Sequence, residues 1–153
     1  MITILSYFSE NKFTSMGILI AFAVHNTSNR QTWEVFELKG IYLINPHWQS
    51  GNKSKQECAQ AQKQALETYI EDHNIFTVKL NQWQLNDYYT IPHALLYDLK
   101  QKKTDLDVLL LYSEEVLEDF INSYPARWLI LKSFFNEVVF AAKQKENYFE
   151  GAG

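Results

Sequence analysis

The alternation of apolar and polar positions divides the chain at one segment. Over Ser54–His73 (SKQECAQAQKQALETYIEDH), Cys58, Ala61, Ala65, Leu66, Tyr69 and Ile70 recur at helical spacing and form one apolar face. Lys55, Gln56, Gln60, Lys63, Gln64, Glu67 and Glu71 cover the other face. Ser54 with Glu57 three residues later is a capping box, in which the hydroxyl accepts the Glu57 N–H and the carboxylate accepts the Ser54 N–H. Asn74 is suited to the left-handed turn that stops a helix.

The pattern before this helix is sheet-like. Ile2–Phe8 reads as a strand by its β-branched and aromatic content. Phe13–His25 is a nearly continuous apolar run, as in a strand buried on both faces or a short buried helix. Gly17 and the turn cluster Asn26–Arg30 favour the strand. Gln31–Leu38 alternates, with Trp33, Val35 and Glu37 on one side and Glu34, Phe36 and Leu38 on the other. Gly40 reads as a bulge, after which Ile41–Ile44 continues the same strand. These segments predict an antiparallel three-stranded meander. Asn45–Lys53, with Pro46 and Gly51, reads as a surface loop.

After the helix, strands and helices alternate. Ile75–Leu80 is a strand, and Asn81–Thr90 is irregular. Pro92 suits the first turn of a helix, in which Leu95, Leu96 and Leu99 share a face. Val108–Tyr112 is short and apolar, as an inner parallel strand would be. Ser113 is placed to cap a helix whose face is Val116, Leu117, Phe120 and Ile121, and Ser123-Tyr124-Pro125 breaks it. Trp128, Leu131 (or Lys132), Phe135, Val138, Val139 and Ala142 fit a last helix of about 20 residues. The rival reading is a strand over Trp128–Leu131 followed by a shorter helix.

The fold class expected is therefore α+β with a mixed sheet: a meander followed by β/α units, in the order βββαβαβαα. Residues 1–146 are expected to form one globular domain and 147–153 a flexible tail. This order of elements, over about residues 2–122, resembles the ribonuclease-H-like fold. Nucleases of that family hold two magnesium ions with clustered carboxylates. The resemblance places Glu57 where the family has its helix glutamate. The first strand carries no acid, and Ile75–Leu80 ends in Asn81 and Gln82 instead of an aspartate. Under that reading Glu57, Asp107 and Glu114 are the candidate metal ligands, while the two central acidic positions of the family are missing.

Composition narrows the chemistry. The chain has 153 residues, 46% of them hydrophobic, enough for one core, and carries a net charge of −4. Its densest basic cluster is Lys100, Lys102 and Lys103, read either as helix C-terminal cations or as a phosphate patch. No basic face of the kind that nucleic-acid binders show is evident. The single cysteine, Cys58, excludes an internal disulfide and suits a reducing compartment. The longest apolar run, Met16–Val24, is about half a membrane span. A soluble, cytoplasmic protein is expected.

Catalytic motifs are sparse. Cys58 in the first helical turn could pair with His25 or His47, or simply fill the apolar stripe. The four histidines show no metal-binding spacing, and the glycines form no phosphate loop. No catalytic residue and no cofactor are assigned. The aromatics are more informative. Trp48 lies in a polar loop, and Trp83, Tyr88 and Tyr89 lie in an irregular one. Phe134 and Phe140 belong to a terminal segment that is apolar on nearly every side. Loop aromatics are typical interface anchors. The expected function is a non-catalytic protein-interaction domain, using these six residues and the apolar C-terminal helix against a protein partner or a second copy. The alternative is a divergent metal-dependent nuclease or nucleic-acid binder of the ribonuclease-H-like type.

Overall fold

The structure, a computed structural model, describes residues 21–24, 32–35 and 37–143. Strands β1 (Ala21–Val24) and β2 (Thr32–Val35) form an antiparallel hairpin in the register Ala21 to Val35 and Val24 to Thr32. The remaining elements are β3 (Leu38–Tyr42), α1 (Lys55–Asp72), β4 (Ile75–Thr77), α2 (Pro92–Gln101) and β5 (Leu106–Leu111), then a 3-10 turn (Glu114–Leu117), α3 (Glu118–Ser123), α4 (Pro125–Ser133) and β6 (Phe135–Phe140). The last four strands form one sheet in the order β4-β3-β5-β6, and every pairing in it is parallel. The predicted strand Ile2–Phe8 lies outside the described residues, as does most of Phe13–His25. Among the described residues no helix is long and apolar enough to cross a membrane.

Helix α1 forms as its sequence dictates. Ser54 is extended at φ −69° and its hydroxyl accepts the Glu57 N–H at 3.2 Å, while the Glu57 carboxylate accepts the Ser54 N–H at 2.7 Å. Those bonds to the Ser54 backbone and hydroxyl hold the Glu57 carboxyl below its usual range. Asn74, at φ 49°, takes the left-handed turn beyond the helix. Replacing Ser54 by alanine should cost about 1 kcal/mol in urea denaturation at neutral pH, with aspartate retaining the stability. The folded pKa of Glu57 is the lower one, so its stabilisation is present above the unfolded pKa and disappears as pH falls through the folded value. The Ser54→Ala deficit should therefore shrink in acid. A deficit that stays constant with pH would mean that the Ser54 hydroxyl adds nothing to the hold on the carboxylate, since alanine keeps the backbone N–H.

The antiparallel meander is not formed. β2 stops at Val35, and the next strand begins at Leu38 and runs between two parallel neighbours. Ile41, Tyr42, Leu43 and Ile44 are all at most 4% exposed, because the chain here is covered on both faces. A strand at the centre of a parallel sheet requires apolar side chains on both sides. Four apolar residues in a row do not specify the direction of the neighbouring strands, which is why a continuation of the hairpin was equally readable. Gly40 is not a bulge; it sits in register with Thr77 on one side and Val108 on the other.

The long last helix is also not formed. α4 ends at Ser133 and the chain turns at once into β6, parallel to β5 from Leu106–Phe135 to Leu111–Phe140. Neither the 20-residue helix nor a strand over Trp128–Leu131 is present. The all-round apolar character of this segment has a simple origin. Val138 and Phe140 face the core beneath α2 and α4, whereas Val139 and Ala141 face the core beneath α1. Serving both faces of a sheet gives the same composition as a buried helix.

Three layers result. On one face Tyr42, Ile44, Val108, Leu110 and Val139 pack with Leu66 of α1. On the other, Ile41, Leu43, Leu109 and Leu111 pack with Leu95 and Leu99 of α2, Phe120 of α3, and Trp128 and Leu131 of α4. The crossovers lie on opposite faces: β3 to β4 through α1, and β4 to β5 through α2. With right-handed connections, this moves the chain to one side of β3 and then back past it. The chain therefore reverses its direction of advance between β3 and β5.

Candidate functional site

In an open parallel sheet, the loops leaving two adjacent strands in opposite directions open a crevice at the strands' carboxyl ends. Here those strands are β3 and β5. The loops after them enclose an open crevice of about 420 Å³ lined by Trp48, Gln49, Ser50, Tyr112, Ser113, Glu115 and Ala142. The Trp48 and Tyr112 rings lie 5.8 Å apart at 54°, one from each loop.

A buried amide clamp sets the geometry. Gln62 of α1 is fully buried, and its side chain holds both polar groups of one residue in the β3 loop. Its Oε1 accepts the Asn45 N–H and its Nε2 donates to the Asn45 carbonyl, both at 2.9 Å. The Asn45 side chain continues the chain of bonds: Nδ2 donates to the Val116 carbonyl at 2.9 Å and Oδ1 accepts the His47 N–H at 2.9 Å. One residue thus joins α1, the β3 loop and the 3-10 turn after β5. Helical spacing had placed Gln62 on neither the apolar nor the polar face of this helix, so nothing singled it out.

Ser113 departs from its expected role. It is extended at φ −154° and caps nothing. Its hydroxyl is buried beside the Glu115 carboxylate but makes no well-formed hydrogen bond. The Ser113 hydroxyl and the Glu115 backbone N–H hold that carboxyl below its usual range. Glu115 itself is exposed, so it is an accessible, fully ionised acceptor at neutral pH.

The structure does not gather the candidate metal ligands. Glu57 is engaged in the capping box. Asp107 lies near the start of β5, where its carboxylate accepts the Lys39 N–H at 2.7 Å and the Asn136 side chain at 3.2 Å, tying β3, β5 and β6 together. Glu114 follows the other end of β5, about 20 Å away at ~3.3 Å per residue. Among the described residues no three His, Cys, Asp or Glu side chains come close enough to share an ion. Cys58 is buried, and its sulfur lies against the Ser50 backbone, accepting that N–H at 3.4 Å. His47 is exposed, and His25 lies outside the described residues.

The six interface candidates fall into different environments. Trp48 is half-buried in the crevice. Tyr88 is half-buried against Tyr42, with ring centroids 5.6 Å apart. Tyr89 is core: it extends the sheet beside β3 through bonds to Tyr42 and Ile44, and its hydroxyl donates to Asp98 at 2.8 Å. Phe134 and Phe140 are half-buried against the core. Trp83 stands out at 81% exposed, and Leu85, not singled out from the sequence, at 96%.

The loop that carries these two residues runs from the end of β4 to α2 and is held along its length. Asn81 accepts the Trp83 N–H with Oδ1 at 2.9 Å and the Gln84 N–H with its carbonyl at 3.1 Å. Gln84 Nε2 donates to the Tyr88 carbonyl at 2.9 Å, and Lys79 pairs with Asp87 at 3.7 Å. No family model matches the chain, and no curated protein or solved structure matches it either.

Proposed function

We propose that this chain is a non-catalytic protein-interaction domain whose contact is anchored by Trp83 and Leu85. One observation carries the reading: two large apolar side chains, 81% and 96% exposed, stand on a loop that internal hydrogen bonds already hold in shape. A long irregular connection within a compact α/β fold is uncommon unless it has a use. Pre-ordering the loop lowers the entropic cost of docking it. Tryptophan is the residue type most enriched at binding hot spots, where truncation costs ~2 kcal/mol or more. The outward residues Leu129 and Ile130 of α4, 62% and 42% exposed, replace the long C-terminal helix as the second apolar surface.

Light scattering over a concentration series should show a mass above the 18.0 kDa of one chain, or affinity capture should retain a specific protein. The Trp83→Ala and Leu85→Ala exchanges should weaken the complex at least about tenfold, a loss of ~1.4 kcal/mol. Both side chains are exposed, so urea denaturation curves should be unchanged. Undiminished association in both variants removes these residues from the contact and defeats the reading.

A further inference from the structure

We propose that the crevice between the β3 and β5 loops binds a small organic cation, an alkylammonium or guanidinium group. Two features of its wall, a carboxylate and a pair of aromatic rings, point to positive charge. The Glu115 carboxylate borders it and is accessible. The Trp48 and Tyr112 rings border it from the two loops, and aromatic faces attract a cation within about 6 Å of the ring centre. Ser113 also lines it, and its buried hydroxyl lies beside the Glu115 carboxylate. An ammonium or guanidinium supplies several donors at once to that carboxylate.

An anion would find none of this. The nearby N-terminus of α1, otherwise suited to negative charge, already holds the Glu57 carboxylate. Among the described residues, Lys143 is the one cation that bears on Glu115, and its influence is the weakest acting on that group. The volume of about 420 Å³ suits a small ligand or one long side chain. The Gln62–Asn45–Val116 bonds fix both walls in advance. None of these residues belongs to the Trp83 loop, so the two proposals stand or fall separately.

The test is a titration of the full chain, followed by backbone and indole NMR, with butylammonium and methylguanidinium chloride. Sodium butyrate at matched ionic strength is the control. Saturable shifts centred on the Trp48 indole and the Ser113 amide are expected, with a Kd of about 1–10 mM, and none with butyrate. Glu115→Gln should weaken binding about tenfold, and Ser113→Ala should weaken it to a smaller extent. Nα-acetylated lysine and arginine amides form a further arm. Tighter binding of these than of the simple amines identifies a polypeptide side chain as the ligand, and equal or weaker binding identifies a free amine. Absence of saturation, an equal response to butyrate, or full affinity in Glu115→Gln overturns the proposal.

Discussion

Gly40→Ala should destabilise the domain by about 1–3 kcal/mol, and Gly40→Val by more, although glycine is ordinarily a poor strand residue. A Cβ on Gly40 would lie 2.8 Å from Ile75 Cγ2 and 2.9 Å from Val108 Cγ1, closer than such atoms approach in folded proteins. Both neighbours are buried and branched at Cβ, so neither has a free rotamer to retreat into. The Val108 carbonyl, 3.3 Å away, is part of the ladder itself. Alanine would gain about 0.4–1 kcal/mol by restricting the unfolded chain, which is smaller than the overpacking cost. The net sign is therefore destabilising, and valine adds two further methyl groups to the same clash. Urea unfolding followed by circular dichroism measures it. An alanine variant as stable as the parent would show that β4 and β5 can separate from β3 at little cost, and would weaken the picture of a tightly registered sheet.

Gln62→Ala is expected to cost about 2–4 kcal/mol. The exchange leaves the Asn45 N–H without its acceptor and takes one of two donors from the Asn45 carbonyl, which keeps the Trp48 N–H at 3.4 Å. The orphaned N–H costs about 1–3 kcal/mol, and the emptied volume adds a cavity term. Hydrogen exchange at the Asn45 amide should accelerate in parallel, because that proton loses its acceptor. Gln62→Glu should also be destabilising. A carboxylate can still accept the Asn45 N–H but has no donor for the Asn45 carbonyl, and it would carry charge into a fully buried site. A Gln62→Ala cost below about 1 kcal/mol would mean that water replaces the amide, and that the crevice walls are not fixed by this clamp.

Much of the local structure was readable from residues close together in the chain. The capping box needs only Ser54 and Glu57, and the start of α2 needs only Pro92, whereas Pro125, which opens α4, read only as a break after the preceding helix. β5 announced itself as an inner parallel strand because Val108–Tyr112 is short and apolar, although the strand itself runs over Leu106–Leu111. The candidate site was much less legible. Trp48 was flagged for lying in a polar loop, and the crevice does include it, but the partner ring of Tyr112 read only as the end of a strand. Ser113 read as a cap because a serine before two glutamates usually is one. Its burial is set by tertiary packing and leaves no local trace.

Periodicity, caps and turn residues are properties of neighbours a few positions apart, so the presence of α1, α2 and β5 was settled by the amino-acid order alone. The direction in which strands pair is a property of distant contacts. Lys39 reaches Asp107 across 68 positions, and Asn45 reaches Val116 across 71. An apolar run such as Ile41–Ile44 or Val138–Phe140 satisfies a hairpin, a buried helix or a parallel sheet equally well until its neighbours are in place. The free energy of covering both faces of one sheet made β3 central and β6 a strand, and the crevice opened where the chain reversed between β3 and β5.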